Sequence, residues 1–171
     1  WGNNPLVTIQ AYWHLYLKAK ERGAKIVVID PRKSETAVRA DKWVSIIPGT
    51  DTALGLGMIR WIAANGKLDK PFLKQHTGAV YLVDKDGKLM REDAKDPNSY
   101  LVFDEKSQKL VRHDAKNIDP ALEVKAGSPY RTVLSMVLEQ AEPWTPEAVA
   151  DTTGVPAATV VELVKDYSTN K

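Results

Sequence analysis

The sequence predicts an α/β domain in three layers, with a Rossmann-like, mainly parallel sheet, an antiparallel β insertion and C-terminal helices. The first observation is a run of β-branched residues, Ile26 to Ile29, between two stretches whose apolar residues have helical spacing. The second is a change after about residue 79, where short apolar stretches alternate with polar turns. We therefore divide the domain into an α/β core at 1–78, a β-rich insertion at 79–128 and a helical part at 129–171.

The core alternates helices with short strands. Apolar residues at helical spacing predict a helix from about Thr8 to Arg22, which Gly23 terminates. Strands are predicted at 24–29 and 43–47, and an amphipathic helix follows from Asp51 to Ala64. Because the links between these elements are short, both strands should lie parallel in a sheet covered by the helices.

The insertion and the helical part are distinguished by their turn sequences. Four strand-like stretches, at 81–83, 88–90, 100–103 and 109–111, are separated by polar turns, which predicts antiparallel pairing. A helix is predicted from Tyr130 to Gln140, and two more begin near Pro146 and Pro156 on either side of Gly154. The last helix should bury one apolar face, made of Val160, Leu163, Val164 and Tyr167.

Composition excludes several kinds of chemistry. The 171 residues contain no cysteine, so disulfides, thiolate metal sites, iron-sulfur ligation and a cysteine nucleophile are ruled out within this sequence. The net charge of +2 gives no reason to expect nucleic acid or an anionic membrane as a partner. The opening residues have the sequence of a loop that normally follows a strand, so we expect this sequence to be a piece of a longer chain.

Three short segments should lie at the carboxyl ends of strands, where open α/β sheets bind ligands. They are the first segment (Trp1–Pro5), the second segment (Asp30–Ser34) and the third segment (Pro48–Thr52). We expect them to converge on one crevice.

The first two segments have residues suited to a pyrophosphate and a ribose. In the first, Gly2 and free backbone N–H groups near a helix start could cradle a pyrophosphate; the alternative is an ordinary strand-to-helix turn. In the second, Asp30 could hold a ribose diol, and Arg32 could contact phosphate or stack on a purine. The alternative is that Asp30 caps the turn and Arg32 is solvated.

The third segment has a carboxylate that suits one particular base. Thr50 or Asp51 could simply cap the following helix. Alternatively, Asp51 could accept both of the adjacent donors on the Watson–Crick edge of guanine, which would select guanine over adenine.

Together the segments resemble the dimethyl sulfoxide reductase family of molybdenum and tungsten enzymes. The third domain of that family has a similar order of motifs, which here are Trp1-Gly2-Asn3-Asn4-Pro5, Asp30-Pro31-Arg32, Glu35-Thr36-Ala37 and Pro48-Gly49-Thr50-Asp51. The stretch from Trp144 to Val155 also resembles a segment found after the core of that domain in formate dehydrogenases. The resemblance covers residues 1 to about 76 and 143–170, and leaves the insertion unassigned.

The resemblance implies a domain that binds the guanosine and pyrophosphate of one molybdopterin guanine dinucleotide. Phosphate would lie by Gly2, Asn3 and Asn4, the ribose by Asp30 and Arg32, and guanine by Asp51. The full set of implied binding residues is Gly2, Asn3, Asn4, Pro5, Asp30, Pro31, Arg32, Gly49, Thr50 and Asp51. No catalytic or metal-ligating residue is expected here, since the metal ligand and any iron-sulfur cluster lie upstream in the family.

The resemblance also implies partners and a location. Other domains of the same catalytic subunit would surround the cofactor. Further candidate partners are an iron-sulfur electron-transfer subunit, together with a membrane anchor subunit, and no nucleic acid is expected. Many bacterial and archaeal members are exported folded, so we expect the periplasmic or cell-surface side rather than the cytoplasm.

Three other interpretations remain. One is a nucleotide-binding domain of another class, for example one that uses NAD, and another is a non-enzymatic interaction module. The third is a DNA-binding helix-turn-helix at 145–160. It is disfavoured because the helix from Pro156 offers Lys165 alone among the side chains that read base edges.

Overall fold

A computed structural model describes residues 1–169, apart from the side chain of Gln10. Residues 170 and 171, which end the predicted helical part at 129–171, lie outside the described residues. The chain forms two compact units. The first unit is Trp1–Trp61 with the described part of Pro143–Lys171, and the second unit is Ile62–Glu142.

Helices and short strands alternate along the described chain. In chain order they are α1 (Pro5–Thr8), α2 (Gln10–Glu21), β1 (Val27–Ile29), α3 (Glu35–Arg39), β2 (Lys42–Val44), α4 (Asp51–Ala64), α5 (Lys70–His76), a 3₁₀ turn (Gly78–Val80), β3 (Leu82–Asp84), β4 (Leu101–Asp104), β5 (Lys109–Arg112), β6 (Tyr130–Thr132), α6 (Val133–Ala141), α7 (Pro146–Thr153) and α8 (Ala157–Thr169).

The first unit contains a parallel pair of strands. β1 and β2 pair with Val28 opposite Trp43, which confirms the mixed α/β class and the parallel link between the two predicted strands. The three-layer, Rossmann-like sheet is not confirmed, because the described residues form three separate two-stranded sheets and only this one is parallel. A run of β-branched residues indicates a buried strand, but it does not indicate how many other strands pair with it.

The core of the first unit joins the sheet to α4, α7 and α8. Its buried residues are Ile29, Val44, Ile46, Leu54, Val149, Val155, Val160 and Leu163. Gly154 adopts a positive φ of 72° at the end of α7, which lets the chain reverse into α8. The prediction that Tyr167 is buried is wrong, since its exposed fraction is 72% and the buried face of α8 ends at Val164.

The predicted helix at 8–22 is confirmed as α2 (Gln10–Glu21), and a separate single turn, α1, precedes it. The chain leaves the helical conformation at Ile9, with φ at −137°, so that the single turn α1 precedes the longer α2. β-Branched residues restrict helical side-chain rotamers, and three of them, Val7, Thr8 and Ile9, meet at this break. On α2, Trp13 is buried, whereas the apolar residues Tyr12, Leu15 and Tyr16 are exposed.

The second unit has antiparallel pairing, as predicted for the insertion. β3 pairs with β6, and β4 pairs with β5. The predicted strand at 88–90 is reduced to an isolated bridge between Leu89 and Val83. A separate core holds the unit together, with buried residues Ala79, Val80, Val102, Leu122 and Leu134.

The predicted helix from Tyr130 begins three residues late, because Tyr130–Thr132 is strand β6. The hydroxyl of Thr132 is fully buried, donates to the carbonyl of Leu122 (2.7 Å) and accepts the N–H of Ser135 (3.1 Å). This N-cap fixes the start of α6 at Val133. None of the described helices in either unit combines the length and the apolar character needed to cross a membrane.

Candidate functional site

The first two segments meet at the carboxyl end of the parallel pair. The N–H of Gly2 donates to the carbonyl of Ile29, the last residue of β1, at 2.9 Å. The N–H of Asp30 donates to the carbonyl of Val44, the last residue of β2, at 3.1 Å. Both segments therefore lie at the edge of the sheet where ligands of α/β domains bind.

The first and third segments are joined by one hydrogen bond. The indole Nε1 of Trp1 donates to Oδ1 of Asp51 at 2.5 Å, and both side chains are exposed. Asp51 is the first residue of the 14-residue helix α4, where a negative charge is favourable beside the free backbone N–H groups. The carboxylate thus already accepts an N–H donor from the edge of an aromatic ring, a contact that sequence reasoning did not anticipate.

Two glycines leave open space beside the backbone. Gly2 and Gly49 have φ values of 60° and 82°, in the left-handed region, and a Cβ built on either would meet no atom within 4 Å. Within the described part of the chain, the backbone N–H groups of Asn3 and Asn4 have no hydrogen-bond acceptor. The first segment therefore presents two unpaired donors next to a backbone that a ligand can approach.

The hydroxyl of Thr50 is used within its own segment. It donates to the carbonyl of Ile47 at 2.7 Å. The N–H of Thr50 donates to the same carbonyl at 3.2 Å. Thr50 therefore fixes the turn through Gly49, which places Asp51 at the start of α4.

The second segment forms a turn and presents two cations. Oδ1 of Asp30 accepts the N–H of Arg32 at 2.8 Å, which is the turn that the alternative interpretation predicted. Pro31 is exposed within this turn. The guanidinium of Arg32 is largely exposed and lies 3.6 Å from the carboxylate of Glu35, while Nζ of Lys33 lies 5.7 Å from the ring centroid of Trp43.

The side chain of Asn4 faces helix α3. Its Nδ2 donates to Oε2 of Glu35 at 2.8 Å, and its Oδ1 accepts both the hydroxyl of Thr36 (2.6 Å) and the N–H of Thr36 (3.2 Å). Pro5, which follows, is buried. Direct contact of Asn4 with phosphate stays a prediction, and its unpaired backbone N–H is the group available for it.

The charge on Glu35 follows from these contacts. Its pKa lies below the ordinary value because its own backbone N–H donates to the carboxylate, and because the amide of Asn4 and the positive charge of Arg32 add to the effect. Glu35 is therefore ionised at neutral pH, and it partly neutralises Arg32. No grouping of three or more metal-binding side chains occurs among residues 1–169.

Comparison with known proteins gives the family. A family model described as molybdopterin oxidoreductase matches residues 1–160. The chain belongs to the molybdopterin oxidoreductase family. This membership confirms the predicted resemblance, and it implies a molybdopterin cofactor with molybdenum or tungsten.

The chain matches only part of the length of two relatives. A Halobacterium salinarum protein named for the catalytic subunit of dimethyl sulfoxide reductase is 32% identical over 181 positions, which cover 98% of this chain and 21% of that protein. A selenate reductase subunit of Mesobacillus selenatarsenatis is 53% identical over 53 residues, or 31% of this chain and 5% of that protein. The chain thus spans about a fifth or less of these relatives.

A solved structure supports the fold. Acetylene hydratase from Pelobacter acetylenicus matches with a TM-score of 0.57 and 20% identity, over 95% of this chain and 15% of that chain. At this identity, the likeness shows a shared fold alone.

The polar groups of the three segments suit phosphate and hydroxyl groups of a ligand. Unpaired backbone N–H groups at Asn3 and Asn4 and the cation of Arg32 suit phosphate, and the carboxylate of Asp30 suits a hydroxyl. The carboxylate of Asp51 already accepts an aromatic N–H group. In this donor set, only oxygen and nitrogen groups are present, and none belongs to a cluster that could hold the metal.

Proposed function

We propose that the three segments bind the guanosine and pyrophosphate of a molybdopterin guanine dinucleotide within a larger oxidoreductase. The observation that carries the proposal is the hydrogen bond from Trp1 to the exposed carboxylate of Asp51, which joins the first and third segments. When bound, the cofactor supplies two-electron chemistry at molybdenum or tungsten. This chain supplies binding and orientation.

Recognition of guanine follows from the chemistry of Asp51. Guanine has two adjacent N–H donors on its Watson–Crick edge, and one carboxylate accepts both. Adenine has one donor and one acceptor there, so it forms a single hydrogen bond and places a lone pair against the carboxylate. Two charge-assisted hydrogen bonds to guanine are stronger than one to adenine, which favours guanine.

Phosphate and ribose would be held by the first two segments. The N–H groups of Asn3 and Asn4 lack acceptors among the described residues, so a pyrophosphate oxygen would satisfy them. Arg32 adds a positive charge that is exposed and only loosely paired. Since the turn at Asp30 engages Oδ1, its Oδ2 would accept a ribose hydroxyl.

We propose further domains of the same catalytic subunit as partners, because one side of α2 is apolar and exposed. Tyr12, Leu15 and Tyr16 are between 40% and 56% exposed, which is costly for aromatic and aliphatic side chains unless other protein covers them. We also propose an iron-sulfur subunit, together with a membrane anchor subunit, because relatives are named as one subunit of an enzyme. A periplasmic or cell-surface location stays a prediction.

Calorimetric titration with GDP and ADP tests the proposal. The wild-type chain should bind GDP and prefer it over ADP, because a bidentate pair discriminates against the wrong base by roughly 1–3 kcal/mol. Asp51→Asn should abolish the preference, since an amide has one acceptor and places an N–H donor against a guanine donor. Asp151→Asn is the matched control, because it removes the same charge from exposed residue 151 of α7, outside the three segments.

The outcomes separate the alternatives. Equal binding of GDP and ADP by the wild-type chain would favour a nucleotide site of another class, such as one for NAD. A GDP preference that survives in Asp51→Asn would refute the assigned role of Asp51. No binding of either nucleotide by the wild-type chain would refute the proposed site.

A further inference from the structure

Thr36 lies between the first segment and helix α3. It is the second residue of α3, and only 2% of it is exposed. Its hydroxyl donates to Oδ1 of Asn4 at 2.6 Å and accepts the backbone N–H of Leu6 at 3.1 Å. One buried hydroxyl therefore bonds to the chain on both sides of Pro5, as donor to one residue and acceptor from the other.

These bonds commit the side chain of Asn4 to the protein. Its oxygen accepts two hydrogen bonds from Thr36, and its nitrogen donates to Glu35. The Asn4 side chain is therefore a structural link between the first segment and α3, whereas its backbone N–H has no acceptor among the described residues.

The first segment is consequently anchored at both ends. At one end the N–H of Gly2 bonds to β1, and at the other the N–H of Leu6 bonds to Thr36. The unpaired N–H groups of Asn3 and Asn4 lie between the two anchors. A loop that is ordered before binding loses less conformational entropy when the ligand arrives.

We infer that Thr36 is a positioning residue, which acts through Asn4 and Leu6 to hold the N–H groups of Asn3 and Asn4 in place for a diphosphate. This inference rests on the proposed function for its ligand. A threonine suits the position because its hydroxyl donates and accepts at once, while its β-branched side chain has few rotamers. Valine has the same shape without the hydroxyl, and serine keeps the hydroxyl.

The test compares Thr36→Val with Thr36→Ser in the 171-residue chain. Amide exchange at Leu6, followed by NMR, reports the anchor without any ligand, and calorimetry with GDP reports binding. Thr36→Val should speed exchange at Leu6 and weaken GDP binding, each by about five- to tenfold, the effect of losing one buried hydrogen bond. In Thr36→Ser, the exchange rate at Leu6 and the GDP affinity should both lie within about twofold of the wild-type values. Serine lacks the methyl group, so it would not restore them if the methyl contacts alone mattered.

A double-variant cycle tests the route through Asn4. If Thr36 acts in part through Asn4, then Thr36→Val should weaken GDP binding less in the Asn4→Ala background than in the wild-type chain. Independent, additive losses would overturn this route. Because Asn4 is only half-buried, we expect Asn4→Ala to fold, and its GDP affinity still tests the Asn4 contact if Thr36→Val does not fold.

The two proposals fail in different ways. If the wild-type chain binds no GDP, the proposed function fails, and unchanged exchange at Leu6 in Thr36→Val would overturn the positioning role separately. If the wild-type chain binds GDP and Thr36→Val binds it equally well, the positioning role is overturned while the proposed function stands.

Discussion

Replacing Gly57 by alanine should destabilise the first unit, although alanine is the better helix former. Gly57 lies in α4, the helix that begins with Asp51, and it is buried. A Cβ at this position would lie 2.4 Å from Cγ2 of Val149 and 3.4 Å from the carbonyl oxygen of Trp144. Val149 is fully buried in the core, so its methyl group cannot move away without displacing other core residues.

The magnitude follows from two opposing effects. Alanine is favoured over glycine in a helix interior by about 0.8–1 kcal/mol. Overpacking a core costs about 1–3 kcal/mol, and the upper half of that range applies because the methyl groups must separate substantially from 2.4 Å to reach ordinary contact. The free energy of unfolding should therefore fall by about 1–2 kcal/mol.

The same helix contains a matched control. A Cβ at Gly55 would meet nothing within 4 Å, so Gly55→Ala should keep the helical gain of about 1 kcal/mol without the clash. Urea denaturation followed by tryptophan fluorescence measures both variants, because the five tryptophans, at 1, 13, 43, 61 and 144, all lie in the first unit. Adding Val149→Ala to Gly57→Ala should recover part of the loss. Equal stability of the two alanine variants would refute the reasoning.

Three further substitutions probe polar contacts within one unit or the other. The pKa of Asp41 is lowered chiefly because the N–H of Ile26 donates to its carboxylate, and also because Lys20 pairs with it. The charged form of Asp41 therefore stabilises the fold above the ordinary pKa of 3.8, and this stabilisation is lost as the pH falls. Asp41→Asn should thus lower stability in urea at pH 7 more than at pH 3, and an equal loss at both would contradict the assignment. Thr132→Val should destabilise the second unit by about 1–2 kcal/mol because it removes an N-cap and a buried hydrogen bond, seen as faster amide exchange in α6; Ser135→Ala, which keeps the cap, is the control. In Asp104→Ala, the N–H groups of Lys106, Ser107 and Asp119 lose their acceptor, so the melting temperature should fall and Asp119 should exchange faster; unchanged exchange would exclude this role.

Local sequence signals account for most of the elements but not for their pairing. The predicted helix at Asp51–Ala64 has these bounds in the structure, because a polar start and an apolar face are local properties. The extent of a sheet depends on strands far apart in the chain, so the parallel pair was predictable and the three-layer sheet was not. Tyr130–Thr132 was predicted as helix because its partner, β3, lies nearly fifty residues earlier.

The candidate site shows the same limit. Strand ends and turn residues predicted that the three segments would meet, since the carboxyl ends of parallel strands share an edge. They did not predict the bond from Trp1 to Asp51, which joins residues 50 apart, or the orientation of Asn4 towards Thr36, 32 residues away. Propensity and spacing describe neighbours on one element, whereas these contacts depend on how loops from different elements fold onto each other.

The polar groups of the three segments, taken together with Thr36 of α3, divide into two sets with different consequences for binding. The side chain of Asn4, the hydroxyls of Thr36 and Thr50 and Oδ1 of Asp30 are already bonded within the protein. The N–H groups of Asn3 and Asn4 have no acceptor among the described residues, and the exposed guanidinium of Arg32 is only loosely paired with Glu35. Loss of a group in the first set should weaken binding by loosening the loops before the ligand arrives, whereas loss of a group in the second set removes a contact and leaves the free protein unchanged. Amide exchange without ligand therefore distinguishes the two sets, even where their effects on nucleotide affinity are the same.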